Sequence, residues 1–191
     1  MTVYSALVVA CWGIFLTVWL VSSLSAKKNA GGVRWLANGY RGGVAFMIIL
    51  MLNVGTTRRW MNQFTRWTRT PTGASVATVG VVLCALGIAF AIWARIHIGR
   101  NWGMPMSIKS DPELVTTGPY KWVRHPIYAG GLCAAFGSML AAGPTWGVLF
   151  VLSLFYFLPS ARVEERRMAQ LFPHEYPAYR QRTKMLIPFI V

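Results

Sequence analysis

The polar residues best suited to chemistry lie in the segment TGPYKWVRHPIYAG at residues 117–130. His125 stands there between an arginine and a proline, and Tyr120 and Tyr128 flank it. Proline suits the first turn of a helix, where its missing N–H is no loss, so Pro126 predicts that a helix begins directly after His125. Unpaired N–H groups at a helix start attract anions. The segment therefore predicts a site for a ligand that carries a carboxylate or a phosphate.

A second polar cluster, RVEERR at residues 162–167, holds two of the five acidic residues of the chain, Glu164 and Glu165. Ionisable groups near a membrane boundary are costly unless they are paired or functional. Either the two glutamates balance the neighbouring arginines on a solvated helix, or one of them binds a ligand ammonium or hydroxyl group. Adjacent helical residues point about 100° apart, so at most one of the two is expected to face a site. We expect this cluster and the segment around His125 to meet at a membrane surface.

The composition indicates which class of protein positions these residues. Of the 191 residues 55% are hydrophobic and 13% are charged, whereas a soluble domain carries about 25% charged residues. The net charge of +14 comes from short basic clusters between apolar runs, as expected of loops at anionic lipid headgroups rather than of a nucleic-acid surface. The three cysteines lie inside apolar runs without metal-ligand spacing, so no metal is expected. An all-α, polytopic membrane protein is predicted.

We predict one integral membrane domain over residues 1–191, with N-terminal helices in 1–94 and a cofactor-binding catalytic region in 95–191. The five predicted spans are residues 4–24, 39–57, 73–98, 127–143 and 145–159. The last two form a helical hairpin because Gly143-Pro144 signals a turn. This hairpin places the connector before it and the tail after it on the same face, which is predicted to be cytoplasmic.

The basic segment at residues 58–69 is predicted to lie at the membrane interface, since Trp60, Phe64 and Trp67 alternate with its arginines. Lys27 and Lys28 directly after the first span favour an N-terminus outside the cell. The 58–69 segment then also lies outside, against the general tendency of basic loops to stay inside.

The motif GPY-x-x-V-RHP-x-Y-x-G, followed by EE and then by F-x-x-EY-x-x-Y-x-x-RT, resembles the isoprenylcysteine carboxyl methyltransferase family. Phospholipid N-methyltransferases share the pattern more loosely. The match runs from about Arg95 to Pro188. The resemblance implies a membrane enzyme that transfers a methyl group from S-adenosylmethionine to a small lipophilic or lipid acceptor, by carboxyl O-methylation or amine N-methylation. The alternative is an NADPH-dependent membrane reductase of the sterol reductase type, because such reductases resemble the family in their C-terminal half.

The resemblance also implies site residues. The expected cofactor contacts are Pro112, Glu113, Leu114, Val115, Tyr120, His125, Pro126, Ile127, Tyr128 and Glu164, and the expected catalytic residues are Arg162 and Glu165. The carboxyl methyltransferases have an arginine four residues before the first glutamate, where it orients the substrate carboxylate, but this chain has Ser160 there. Arg162 lies two residues before Glu164, about 200° around a helix from it, and is not an equivalent replacement. The acceptor therefore stays open between a carboxyl group and an amine.

Overall fold

The computed structural model of the chain describes residues 2–23, 29–32, 54–102, 107–109 and 113–186. Helices dominate this part of the chain, as predicted. They are α1 (Val3–Ser23), α2 (Val54–Trp67), α3 (Pro71–Ile98), α4 (Pro126–Ala142), α5 (Pro144–Leu171) and α6 (Tyr176–Arg182), with 3-10 turns at Gly99–Asn101 and Gly118–Lys121.

Two short strands, β1 (Asn29–Gly32) and β2 (Ser107–Lys109), pair antiparallel. Their register places Asn29 opposite Lys109 and Gly32 opposite Ser107, with an irregularity between Asn29 and Gly31. Three or four residues are too few for an alternating pattern to be recognised, which is why the sequence predicted no strand here.

Three of the described helices, α1, α3 and α5, are long and apolar enough to cross a membrane by length and composition, and α4 is a shorter apolar helix of 17 residues. They correspond to the first, third, fifth and fourth predicted spans. The predicted second span, residues 39–57, lies outside the described residues except for 54–57, which begin α2. On α1 the large apolar side chains Leu20 and Val21 are exposed, as lipid-facing residues should be.

Helix α5 is longer than the predicted span of residues 145–159. The sequence ended the last predicted span at Pro159, but α5 continues through Pro159 to Leu171 as one helix. Proline removes one backbone hydrogen bond, here the one to the Phe155 carbonyl, and membrane helices tolerate such a loss where neighbouring elements pack against them. Ser160 and Ala161, directly after Pro159, are fully buried. Glu164 and Glu165 therefore belong to the hairpin itself.

Helices α3 and α4 pack with their backbones in close contact. A Cβ atom added to Gly87 would lie 2.5 Å from the Ala134 nitrogen, and one added to Gly137 would lie 2.5 Å from the Cys84 nitrogen. Small residues at such positions let membrane helices approach closely. Small residues recur at helical spacing along α3 and are buried: Gly73, Ala77, Gly80, Cys84, Gly87 and Ala91. This contact aligns the end of α3 with the start of α4.

Substitution of Gly87 by alanine is expected to lower the free energy of unfolding by about 1–3 kcal/mol, because the added methyl group overpacks a backbone contact. Gly131→Ala in α4 is the matched control, since its Cβ would meet only the Phe157 ring, at 3.6 Å. Thermal unfolding in detergent should show a lower Tm for Gly87→Ala alone. Equal Tm values for the two variants would contradict the close packing of α3 on α4.

The connector before α4 and the tail after α5 meet at one end of the bundle, as predicted. The Arg124 and His125 backbone N–H groups donate to the carbonyl oxygens of Lys184 and Met185, at 2.8 Å and 3.0 Å. Val123 and Lys184 form a parallel bridge at the same place. These bonds bring the start of α4, the end of α5 and the tail together.

Candidate active site

A cluster of two carboxylates around one imidazole occupies this end of the bundle. His125 is the N-cap of α4, with Pro126 in the first turn, as the sequence predicted. Its Nδ1 lies 3.5 Å from Glu164 Oε2, and its Nε2 lies 3.7 Å from Glu165 Oε1. The prediction that at most one glutamate faces the site is wrong. Because the imidazole stands between the two side chains, each carboxylate approaches a different ring nitrogen.

Glu165 is held by arginine. Arg124 Nε donates to Glu165 Oε1 at 2.6 Å, and both side chains are only 9% exposed. Arg124 also donates through Nη1 to the carbonyl oxygens of Thr183 and Arg180. Arg180 Nε lies 3.9 Å from the other oxygen of Glu165. Glu165 and Arg124 therefore join α5, the start of α4 and the tail.

Glu164 is the more accessible carboxylate, with its side chain 25% exposed. The Tyr128 hydroxyl donates to Glu164 Oε1 at 2.6 Å. The Tyr128 ring stacks between His125 and Phe157, with ring centroids 5.3 Å and 4.6 Å away and nearly parallel planes. Glu164 is thus fixed in direction while part of it stays open to a ligand.

The carboxylates of Glu164 and Glu165 favour the protonated form of the His125 imidazole. Burial alone would lower the pKa of His125, but the adjacent carboxylates of Glu164 and Glu165 outweigh it and raise the pKa above its usual 6.5. The buried Nε2 atom has no hydrogen-bond partner among the described residues, since its distance to Glu165 is that of an ion pair only. The cluster is held together by charge rather than by complete hydrogen bonding.

This raised pKa predicts that stability falls as the pH rises. The folded state binds the His125 proton more tightly than the unfolded state, so the stabilisation is complete below pH 6.5 and is lost as pH rises through the folded pKa. Tm measured from about pH 6 to about pH 9 should show this decrease, and His125→Gln should remove it. His174→Gln is the control, because His174 is exposed. An unchanged slope in His125→Gln would contradict the assignment.

A cleft of about 650 Å³ lies between the end of α3 and the connector, within the range of about 300–1,000 Å³ that is usual for small-molecule sites. Asn101 Nδ2 donates to Glu113 Oε2 at 3.0 Å, and His97 Nε2 is 2.8 Å from Thr117 Oγ1. These two bonds join the end of α3 to the connector. The lining residues are His97, Ile98, Arg100, Asn101, Glu113, Leu114, Val115, Thr116 and Thr117.

Tyr120 connects the cleft to the tail. Its ring stacks on the His97 ring at 6.4 Å, and its carbonyl accepts a hydrogen bond of 2.7 Å from the Tyr179 hydroxyl. Gly118 allows this packing, since its φ is +58° and a Cβ would lie 2.6 Å from the His97 ring. Burial raises the pKa of Tyr120, so its hydroxyl stays neutral.

The predicted site residues thus fall into two groups joined by Tyr120. Glu113, Leu114 and Val115 line the cleft, whereas His125, Tyr128, Glu164 and Glu165 form the charged cluster. Pro126 is buried in the first turn of α4, and Ile127 packs against the apolar cluster of Tyr128, Ala161 and Leu186. Arg162 is exposed, and Pro112 lies outside the described residues.

Sequence reasoning missed several residues of this region. Arg124 precedes His125 in the RHP motif, which was a signal, but its bond to Glu165 spans 41 positions. Arg95 was missed as well. Its buried guanidinium donates to the carbonyl groups of Ser22 and Gly99, at 2.5 Å and 2.9 Å. It lies 4.5 Å from the centre of the Trp102 ring. Arg95 thereby ties α1 to the turn that carries Asn101.

Residues 76–175 match the family model described as phospholipid methyltransferase. This chain belongs to the phospholipid methyltransferase family. The matched range contains both the cleft and the charged cluster.

Relatives of this family member are isoprenylcysteine methyltransferases. This chain is 39% identical over 116 residues to protein-S-isoprenylcysteine O-methyltransferase of Saccharomyces cerevisiae, and the match covers 59% of this chain and 48% of the relative. It is 30% identical over 119 residues to the Mus musculus protein of that name, covering 60% and 42%. The chain spans about half the length of the curated relatives it matches. The resemblance noted in the sequence is confirmed, and these relatives give no support to a reductase.

The fold is similar to that of a solved eukaryotic intramembrane Ras methyltransferase, an isoprenylcysteine carboxyl methyltransferase. The TM-score is 0.55 at 24% sequence identity, and the match covers 72% of this chain and 54% of the other. This likeness supports the membrane-embedded helical architecture of the phospholipid methyltransferase family member.

Proposed function

We propose that this protein is a membrane-embedded methyltransferase that uses S-adenosylmethionine to methylate a small lipophilic acceptor. The observation that carries the proposal is the partly exposed Glu164 carboxylate, oriented by Tyr128 and His125 at the end of apolar helices. Such a group can bind a charged cofactor from water while an acceptor approaches from the bilayer. We place this site on the cytoplasmic side of the membrane.

The described residues fit such a cofactor. Its ammonium group needs an acceptor, which Glu164 would supply, and its carboxylate, on the same carbon atom, would lie nearby at the start of α4 beside His125. Its ribose hydroxyl groups would donate to Glu113 at the cleft. Leu114 and Val115 would pack against its apolar parts. Leu114, Val115 and Glu113 would therefore hold one end of the cofactor, and the cluster around Glu164 would hold the other.

The bound cofactor supplies an electrophilic methyl group that is transferred by in-line displacement. Such a reaction depends on alignment and on exclusion of water more than on acid–base groups. Tyr128 and Phe157 present stacked rings beside Glu164 and would exclude water from that side. The pair Arg124–Glu165 keeps α4, α5 and the tail in fixed positions. Glu165, which the sequence predicted to be catalytic together with Arg162, would therefore act by positioning these elements.

The acceptor is proposed as either a carboxyl oxygen or a lipid amine. Ser160 is fully buried and its hydroxyl is bound to the Tyr156 carbonyl, so it does not present a group to an acceptor. Arg162 is exposed on α5 two residues before Glu164 and is available to an anionic acceptor at the membrane surface. Its proposed role is to attract that acceptor.

Ligand-induced stabilisation tests the choice of cofactor. The purified protein should show a higher Tm with S-adenosylhomocysteine, the demethylated product of the cofactor, and no change with NADPH. Labelled methyl transfer from S-adenosylmethionine into a crude lipid extract, followed by identification of the product, then tests the reaction. Stabilisation by NADPH alone would overturn the proposal.

A further inference from the structure

Helix α2 presents two exposed stripes that the methyltransferase site does not use. Arg59 and Arg66 are seven residues apart and lie on one side of the helix, while Trp60 and Trp67 form a neighbouring stripe about 100° away. All four side chains are exposed, Trp60 by 54% and Trp67 by 39%. Arg69, just after the helix, is exposed as well. A cationic stripe beside an aromatic stripe is typical of helices that lie in a membrane interface.

Packing fixes α2 at the far end of the bundle from Glu164. A Cβ on Gly143, at the turn between α4 and α5, would lie 3.1 Å from the Phe64 ring and 3.6 Å from Met61 Sδ. The turn into α3 is equally tight, since a Cβ on Gly73 would lie 2.1 Å from the Trp67 carbonyl oxygen. Because α3 is a candidate span and α2 joins it through three residues, α2 lies at the level of the lipid headgroups.

The arginines of α2 have no carboxylate partner in this half of the chain. The chain has five acidic residues, and none of them precedes Asp111. The described carboxylates of Glu113, Glu164 and Glu165 belong to the cleft and to the cluster around His125, at the other end of α3 and α4, and Glu175 stands in the tail at the start of α6. Among the described residues, no carboxylate therefore supplies negative charge to α2.

We propose that α2 and Arg69 form a binding surface for anionic phospholipid headgroups. Guanidinium groups bind phosphate oxygens in bidentate geometry, and tryptophan rings favour the boundary between headgroups and acyl chains. A second copy of the chain would bring the same positive charge to this surface and is disfavoured. This inference does not rest on the proposed methyl transfer.

The test measures lipid preference on the full chain reconstituted in phosphatidylcholine vesicles. Electron paramagnetic resonance gives the association of spin-labelled phosphatidylglycerol relative to spin-labelled phosphatidylcholine. The wild-type chain is expected to prefer phosphatidylglycerol by about tenfold, since each basic residue near an anionic surface strengthens binding severalfold. The triple variant Arg59→Gln, Arg66→Gln and Arg69→Gln should lose most of this preference, and 1 M salt should reduce it in the wild type.

The control carries the same charge change at the other end of the molecule, as Arg166→Gln, Arg182→Gln and Lys184→Gln, all at exposed positions. It should keep the preference, as should a triple lysine variant of Arg59, Arg66 and Arg69. Circular dichroism confirms that each variant is folded. Equal loss in the α2 variant and the control, or a lysine variant as weak as the glutamine variant, would overturn the proposal. So would specific cross-linking of two copies through α2, or displacement of the lipid by an oligonucleotide.

Discussion

Substitution of Arg124 by methionine is expected to lower the free energy of unfolding by about 3–5 kcal/mol, because it leaves the carboxylate of Glu165 buried without its partner. Arg124 and Glu165 are each 9% exposed and their side chains meet at 2.6 Å. The same arginine binds carbonyl groups of the tail. The loss of one side chain therefore frees both α5 and the tail from the start of α4.

The measurement is unfolding by denaturing detergent, followed by circular dichroism, on Arg124→Met and on Arg182→Met. Arg182 is exposed and donates to the Ala178 carbonyl of its own helix, so its removal should change stability little. The double variant Arg124→Met, Glu165→Met should regain much of the lost stability, because paired apolar side chains can replace a buried ion pair. If Arg124→Met were as stable as Arg182→Met, the ion pair would not hold this end of the bundle.

The helices could be predicted from the sequence because each leaves a local signal. Long apolar runs predicted α1 and α3, and Gly143-Pro144 placed the turn between α4 and α5 correctly. Pro126 correctly predicted that α4 begins directly after His125, because proline suits the first turn of a helix. Helix α5 shows the limit of such signals. A proline normally argues for a break, but α5 continues through Pro159, and Ser160 and Ala161 directly after it are buried against the rest of the bundle.

The charged cluster could be predicted in its members but not in its geometry. His125, Tyr128 and Glu164 belong to motifs, whereas the bond from Arg124 to Glu165 depends on how α4, α5 and the tail pack. Helical angles alone predicted that one glutamate would point away from the site. That argument fails because His125 is not on the same helix, so its ring can stand between two divergent side chains.

Glu164 and Glu165 are adjacent in sequence, yet their surroundings assign them different tasks. Glu165 is nearly enclosed and faces Arg124, Arg180 and His125. Glu164 is more exposed and receives a hydroxyl bond from Tyr128. Glu165, which is paired with arginine, is thus adjacent in sequence to Glu164, which is partly open to solvent. Substitutions of the two glutamates should therefore change different measured quantities.

Glu164→Gln is expected to weaken S-adenosylhomocysteine binding by about 10-fold to 100-fold, which corresponds to loss of one hydrogen bond to a charged group, about 1.5–3 kcal/mol. The amide keeps the size of the side chain but loses its negative charge, so it attracts a ligand ammonium less. Isothermal titration calorimetry measures the Kd, and labelled methyl transfer should fall with it. Tyr128→Phe removes the hydroxyl that orients Glu164 and should weaken binding in the same direction by a smaller factor.

Glu165→Gln is the matched comparison, since it makes the same chemical change one residue away. It should lower the Tm of the ligand-free protein, because Arg124 loses its charged partner, while the rise in Tm on adding S-adenosylhomocysteine should persist. Glu164→Gln should lower the ligand-free Tm less, because Glu164 is more exposed and lies 3.5 Å from His125 without an arginine bond like that of Glu165, and should show a much smaller ligand-induced rise. If both variants kept the full ligand-induced rise, neither carboxylate would bind the cofactor, and the pair would act only in folding. The comparison therefore separates the role of the cluster in stability from its role in binding.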